Sequence, residues 1–268
     1  MDCRITYVGT AAFLLDIGGL QLLTDPVFDP AGSRETLRLR LLGRIGLDFP
    51  LVKLTDPALS ADELPPLDAV LLSHDEHYDN LDREGRALLR RVPLTLTTPS
   101  GAKRLGGTAK ALRRWQSFEI TGGDGASVRV TGVPALHGPR LLTRYIGEVT
   151  GFVLEWEGQS EGALYVSGDT ILFADLAEIG RRFTIGTAII HIGCGGFDDV
   201  TGPLRLSLSA TQGVRLAELV GAKTLIPAHY DGWVHFTEPR RSAEQVLSGG
   251  FDGRVVWLKA GEPTPLEV

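Results

Sequence analysis

Short apolar runs in this chain repeatedly break off into histidine or acidic residues, and that arrangement limits its architecture more than any other feature. Asp68-Ala69-Val70-Leu71-Leu72 runs straight into Ser73-His74-Asp75-Glu76-His77-Tyr78-Asp79-Asn80. Val133-Pro134-Ala135-Leu136 leads to His137, Val166-Ser167-Gly168 to Asp169, and Leu225-Ile226-Pro227-Ala228 to His229, while Thr187-Ala188-Ile189-Ile190 ends at His191. Apolar runs this short fit buried strands. Polar residues at the ends of neighbouring strands converge on one rim, so a site can be assembled from segments far apart in sequence.

The rest of the chain supplies the frame. Arg4–Val8, Ala12–Ile17 and Leu20–Thr24 alternate apolar and polar residues around a Gly18-Gly19 turn, the pattern of a meander. Asp25 to Pro66 reads as a long surface excursion, with a short helix expected in its Arg-Leu stretch. Helices are predicted over Leu81–Arg91, Ile171–Arg181, Ala210–Val220 and Arg240–Ser248, the third stopped by Gly221. Strands are predicted near Leu94–Thr97, Arg114–Ile120, Ser127–Val133, Gly151–Trp156, Ala163–Val166, Thr187–Ile190, Thr224–Ile226 and Arg254–Leu258. Strands early in each half with helices following suggest two packed sheets with helices outside, an α/β sandwich.

Composition excludes several functions. With 268 residues the chain is near the upper size for one core, and one domain over 1–268 is expected. A net charge of -6, with 27 scattered Lys and Arg, argues against a nucleic-acid footprint. The opening Met-Asp-Cys-Arg-Ile lacks the order of a signal peptide, and no apolar run approaches the roughly 18 residues of a spanning helix, so stable membrane insertion is not expected. Cys3 and Cys194, without a CxxC partner, read as reduced thiols, and a cytoplasmic location follows. Glycine-rich nucleotide-binding motifs are missing, which leaves a small-molecule substrate as the expected partner, with a homo-oligomer as the assembly entertained.

The segment from His74 to Asn80 carries the most specific chemistry. In extended backbone Asp75, His77 and Asp79 project to one side, and His74 and Asn80 reach the same place through the turns at either end. Taken alone, the segment reads equally as a polar surface loop or a metal loop. Joined by His137, Asp169 and His229 in matching contexts, it reads as a metal site, since imidazole with carboxylate suits zinc, iron or manganese.

These residues resemble the metallo-β-lactamase superfamily from about Ile5 to about Pro239, in the branch that contains L-ascorbate-6-phosphate lactonase and N-acyl-phosphatidylethanolamine phospholipase D. The similarity rests on Tyr7-Val8-Gly9 through Thr24-Asp25-Pro26, Ser73 to Asp82, Pro134 to Gly138, Ser167 to Thr170 and Pro227 to Tyr230. It implies a four-layer αββα sandwich and a hydrolase that uses one or two divalent cations, zinc first and manganese or iron next, on a small anionic ester, lactone or phosphodiester. The family's His-x-His-x-Asp-His motif is altered. Asp75 stands where its first histidine belongs and Asn80 where its last belongs, with His74 shifted by one place. The implied ligands are His74, Asp75, His77, Asp79, Asn80, His137, Asp169 and His229, with Asp79 also orienting the attacking water and Asp25 bracing the loops. Asp75 and Asn80, the latter a weak neutral ligand, motivate an alternative: a degenerate member that binds metal or an anionic ligand without turnover.

Other residues divide between two readings each. His235 is taken as a catalytic donor to a substrate oxygen, against a structural histidine. His191 is taken as a supporting residue beside the metal. Arg140 and Arg144 are candidates to clamp an anionic group, because guanidinium geometry matches carboxylate and phosphate, against ordinary exposed arginines. Trp233 is placed at the substrate as an apolar wall, against core packing.

Overall fold

The alternating N-terminal stretch forms β1 (Cys3–Gly9), β2 (Ala12–Ile17) and β3 (Leu20–Thr24), an antiparallel meander. The structure, a computed structural model, describes residues 1–41, 45–123, 125–140, 143–196 and 205–267, and no side chain of 37–49 or of 144. After β3 come β4 (Arg34–Leu41) and β5 (Ile45–Val52), which pair antiparallel. A helix was expected in this Arg-Leu stretch. Leucines at 37, 39 and 41 alternate with arginines at 38 and 40, however, and that period of two is the strand period.

The first large sheet continues with β6 (Ala69–Leu71), β7 (Thr95–Thr97) and β8 (Ala109–Ala111), each parallel to its predecessor in the sheet. The second holds β9 (Ser117–Thr121), β10 (Ser127–Pro134), β11 (Thr150–Trp156), β12 (Ala163–Val166), β13 (Ile185–His191), β14 (Thr224–Ala228) and β15 (Arg254–Val255). The chain returns to the first sheet with β16 (Thr264–Leu266) beside β1. The two seven-stranded orders are β16-β1-β2-β3-β6-β7-β8 and β15-β14-β13-β12-β11-β10-β9. Each sheet therefore changes from antiparallel to parallel midway. In the parallel halves β6, β13 and β14 are buried along their whole length, which explains their unbroken apolar runs.

The sheets pack face to face. Ile5, Phe13, Leu15 and Leu96 of one share a buried cluster with Val130, Phe152, Leu154 and Ile226 of the other. On the outer face of the second sheet, Ile179, Leu216 and Leu247 from three helices cover Tyr165, Ile190 and Leu225. On the outer face of the first, Leu88 and Leu89 of a further helix cover Leu23 and Val70. The layers run helix, sheet, sheet, helix, the expected αββα sandwich.

Local chemistry sets the helix ends. α1 (Arg83–Leu89) is capped by Asp82, whose Oδ1 accepts from Gly85 N–H at 2.8 Å. α2 (Pro99–Leu105) starts on the Thr98 cap with proline at its first position. α3 (Thr143–Ile146) is a single turn. α4 (Ala177–Arg182) follows a 3-10 turn, Ala174–Leu176, and starts later than predicted because Thr170 Oγ1 and Ile171 N–H are bonded to the Leu136 backbone. α5 (Ala210–Val220) has a Ser209/Gln212 capping box and ends on left-handed Gly221, and α6 (Arg240–Gly250) packs beside it.

Asp82 also accepts from Asp29 N–H at 2.6 Å, so it ties α1 to the segment after β3. Asp82→Ala is expected to lower unfolding free energy by about 1–2 kcal/mol, the usual loss for a cap, and Asp82→Asn by clearly less, since the amide oxygen still accepts. Urea denaturation of the three proteins measures both.

Candidate metal centre

The polar residues at the strand ends gather into two buried groups. In the first, His74 and His77 come from the loop after β6 and His137 from the segment after β10, with one ligand nitrogen from each within 4.8 Å of the others. Ring centroids lie 5.0, 5.1 and 4.6 Å apart. His137 Nδ1 donates to the Leu206 carbonyl at 2.6 Å. A carbonyl only accepts, so Nδ1 carries a hydrogen, and Nε2 faces His77 Nδ1 at 2.8 Å. Burial, followed by the neighbouring rings, holds His74 well below the usual histidine range and brings His77 down to about 4. Both are neutral at pH 7, and Nε2 of each is buried without a protein partner.

The second group is Asp169 after β12, His191 at the end of β13 and His229 after β14, again with ligand atoms within 4.8 Å. His191 Nδ1 donates to Asp169 Oδ1 at 2.8 Å, and the His191 and His229 rings stack at 7° with centroids 5.3 Å apart. His229 Nε2 lies 3.5 Å from Asp169 Oδ2 and 3.3 Å from Asp79 Oδ2. Burial presses the His229 pKa down, but the charges of Asp169 and Asp79 outweigh it and raise it to about 9. Burial likewise pushes Asp79 and Asp169 upward, and the histidines around them win, leaving both carboxyls below the usual range.

The backbone is strained where it delivers these groups. Thr10, Asp25, Cys194 and His229 have φ of 55°, 25°, 55° and 59°, values that cost about 1–3 kcal/mol each outside glycine. His229 is held there by donating its N–H to the Thr10 carbonyl at 2.8 Å. Gly193 packs so closely on the His229 carbonyl that a Cβ would collide with it, so the glycine turn beside the site is needed for fit.

The loop from His74 to Asn80 is not extended. Asn80 and Leu81 N–H both bond to the His77 carbonyl, making a helical turn, so the expected alternation of Asp75, His77 and Asp79 does not hold. Asp75, expected among the ligands, is instead engaged by Arg104, whose Nε lies 2.9 Å from Oδ2, and it belongs to neither group. Asn80 donates from Nδ2 to Asp25 Oδ2 at 3.3 Å, which leaves its buried Oδ1 without a partner. Asp25 Oδ1 accepts from Ser73 N–H at 2.6 Å, so this carboxylate braces the loop at two points, and burial raises its pKa to about 7.

A small cavity of about 20 Å³ lies against both groups, lined by His77, Asp79, His137, Asp169, His229 and His235 among others. His235 Nε2 donates to Asp79 Oδ2 at 2.9 Å. Trp233, expected at the substrate, is 1% exposed inside a cluster with Val27 and Leu51; it backs Leu51, which itself lines the cavity. Arg140 is exposed and lies 3.4 Å from Asp175, along a larger groove of about 440 Å³ that shares His137 with the inner cavity. The side chain of Arg144 lies outside the described residues. Two contributors had no signal in the sequence: the Leu206 carbonyl, which acts through backbone alone, and Arg104, which lies 24 or more residues from any residue at the site.

The donor set fits divalent cations in two ways: neutral His74 and His77 each keep a buried Nε2 without a protein partner, an acceptor that needs a cation or a proton donor, and His229, once it has released its proton, joins the carboxylates of Asp79 and Asp169 that face it.

Comparison with known proteins agrees with this arrangement. Residues 21–230 match the model of the beta-lactamase superfamily domain. The chain is 27% identical over 264 residues to a metal-dependent hydrolase of Korarchaeum cryptofilum, covering 97% of each, and 29% identical over 238 residues to one of Rubrobacter xylanophilus, covering 85% of this chain and 81% of the other. Among solved structures, the isothiocyanate hydrolase from Delia radicum gut bacteria aligns with TM-score 0.76 at 18% identity, covering 98% of this chain and 99% of that one. The metallo hydrolase Igni18 of Ignicoccus hospitalis aligns with TM-score 0.70 at 18% identity, covering all of both. Family match, layer order and strand-end donor groups coincide, and the chain belongs to the metallo-β-lactamase superfamily.

Proposed function

We propose that this protein, as an enzyme of the metallo-β-lactamase superfamily, hydrolyses a small anionic ester, lactone or phosphodiester with the help of two divalent cations. The observation that carries this is the pair of buried donor groups beside one cavity, which His77 and His137 line from the group they form with His74 and Asp169 and His229 line from the other, with Asp79 between His229 and His235. The nitrogen-only first group favours zinc, and the carboxylates around the second also suit manganese or iron. Such cations, when bound, acidify water and polarise the scissile carbonyl or phosphoryl oxygen.

The chain's own residues divide the remaining work. Asp79 stays ionised, so Oδ2 is positioned to take a proton from the attacking water. His235, 2.9 Å from that oxygen, is the donor that returns a proton to the leaving group. His191 holds Asp169 through Oδ1 and turns Oδ2 toward His229, while Asp25 steadies the loop through Ser73 and Asn80. Arg140 and its neighbours Arg113 and Arg114 border the outer groove and favour an anionic substrate, though Asp175 partly offsets two of them. The lactone and phosphodiester readings rest on the resemblance to their branch. Free thiols at Cys3 and Cys194 support a cytoplasmic location, and among the described residues no helix is long and apolar enough to cross a membrane.

Metal analysis of the isolated protein is expected to give near two equivalents, falling in both His77→Ala and His229→Ala. In the replete protein Asp79→Ala is expected to lower turnover of a chromogenic phosphodiester or a lactone by at least roughly a hundredfold. Metal without turnover on either panel would instead favour a ligand-binding protein, and activity unaffected by chelation would sink the reading.

The two groups also differ in proton linkage. His77 is already neutral above about pH 4, whereas His229 keeps its proton up to about pH 9 and must release it to bind a cation. Zinc affinity of the second position is therefore expected to rise about tenfold per pH unit between 6 and 8, with the first nearly flat over that range. Isothermal titration in buffers of different ionisation enthalpy resolves the two steps; an equal slope for both overturns the assignment.

A further inference from the structure

Two acids, Asp75 and Glu76, stand in the chain between His74 and His77, and one arginine leads both away from the imidazoles. Arg104, in the last turn of α2, places Nε at 2.9 and 3.2 Å from the two oxygens of Asp75 and Nη2 at 2.5 Å from Oδ1, and the same Nη2 meets Glu76 Oε1. Arg86 of α1 donates to the Asp75 backbone carbonyl. Gly101, one turn before Arg104, makes the space, since a Cβ there would sit 3.0 Å from Asp75 Oδ1. The Asp75 side chain is 4% exposed against 45% for Arg104, so the carboxylate is sunk in protein and the guanidinium closes it from outside.

A carboxylate so deeply placed needs a partner. Asp75 is adjacent in sequence to His74 and two residues from His77, and His77 lines the same cleft as Asp75 and Arg104. Without the Arg104 guanidinium, Asp75 keeps only Arg86, which is engaged on its backbone carbonyl, and its carboxylate is left to a cation held by the histidines of the same cleft. We propose that Arg104 is a positioning residue that sets the donor chemistry of the first cation position: by holding Asp75 bidentately it keeps a hard oxygen ligand out and leaves His74, His77 and His137 as a nitrogen-only triad. The inference rests on the metal-dependent reading above. Its consequence is selectivity, because a nitrogen triad favours zinc and cobalt over manganese more strongly than a mixed set does. Lysine does not replace the arginine, since an ammonium cannot grip both oxygens in one plane.

Cobalt(II) is the probe, because its visible absorption reports the number and kind of its ligands. Wild type, Arg104→Ala, Arg104→Lys and the double variant Arg104→Ala/Asp75→Asn are titrated with cobalt, then with zinc and manganese against a chromophoric chelator. Arg104→Ala is expected to change the cobalt spectrum and to narrow the preference for zinc over manganese by roughly tenfold, because the freed carboxylate adds a hard oxygen to the nitrogen triad. Arg104→Lys falls between. The double variant, with no carboxylate to release, returns to within about threefold of wild type. A wild-type spectrum in Arg104→Ala, or a double variant as impaired as the single one, overturns the proposal. Should Arg104→Ala fail to fold, Arg104→Lys compared with Arg104→Lys/Asp75→Asn carries the same test. Wild type that gives no cobalt spectrum at all would instead overturn the metal-dependent reading itself.

Discussion

Burial of a polar cluster at the edge of two packed apolar sheets is the constraint on which the rest of this structure depends. Leaving a buried donor or acceptor unmade costs about 1–3 kcal/mol. The cluster persists because most of its atoms satisfy one another or the backbone: Asp25 takes Ser73 and Asn80, Asp169 takes His191, and Asp79 takes His235. What is left without a partner is largely a set of imidazole nitrogens. Where nearly everything else is paired, those bare atoms are the chemically informative ones.

The sheets make this economical. Both change from antiparallel to parallel midway, and a parallel strand presents its C-terminal end on the same side as its neighbours. β6, β12, β13 and β14 therefore deliver His74 and His77, Asp169, His191 and His229 toward one region without long loops. The local cost appears as positive φ at Thr10, Asp25, Cys194 and His229, borne by the packing of the layers beneath.

Charge is separated within a few residues of chain. Asp79 and Asp169 face histidines, whereas Asp75 and Glu76 face Arg104 and Arg86. The turn closed on the His77 carbonyl separates the two sets, because it sends consecutive side chains in different directions. An extended segment would have put Asp75, His77 and Asp79 on one side and mixed hard oxygen with nitrogen at the same position.

Much of this arrangement is legible in the sequence. Short apolar runs marked β6, β12, β13 and β14, because strands buried on both faces carry little else, and glycine after Val220 marked the end of α5. Residues at the ends of those runs, His74, His77, His137, Asp169, His191 and His229, are the ones the fold assembles into two groups. The Arg-Leu stretch, where a helix is expected, carries the period of two and forms a strand. Tertiary structure alone decided which acid faces which partner. Arg104 reaches Asp75 from 29 residues away, Leu206 orients His137 through a carbonyl that every residue possesses, and Trp233 turns inward behind Leu51. Local sequence determines period and burial through neighbours a few residues apart, whereas the pairing of charges and lone pairs is set by distances in space that only the packed sheets define.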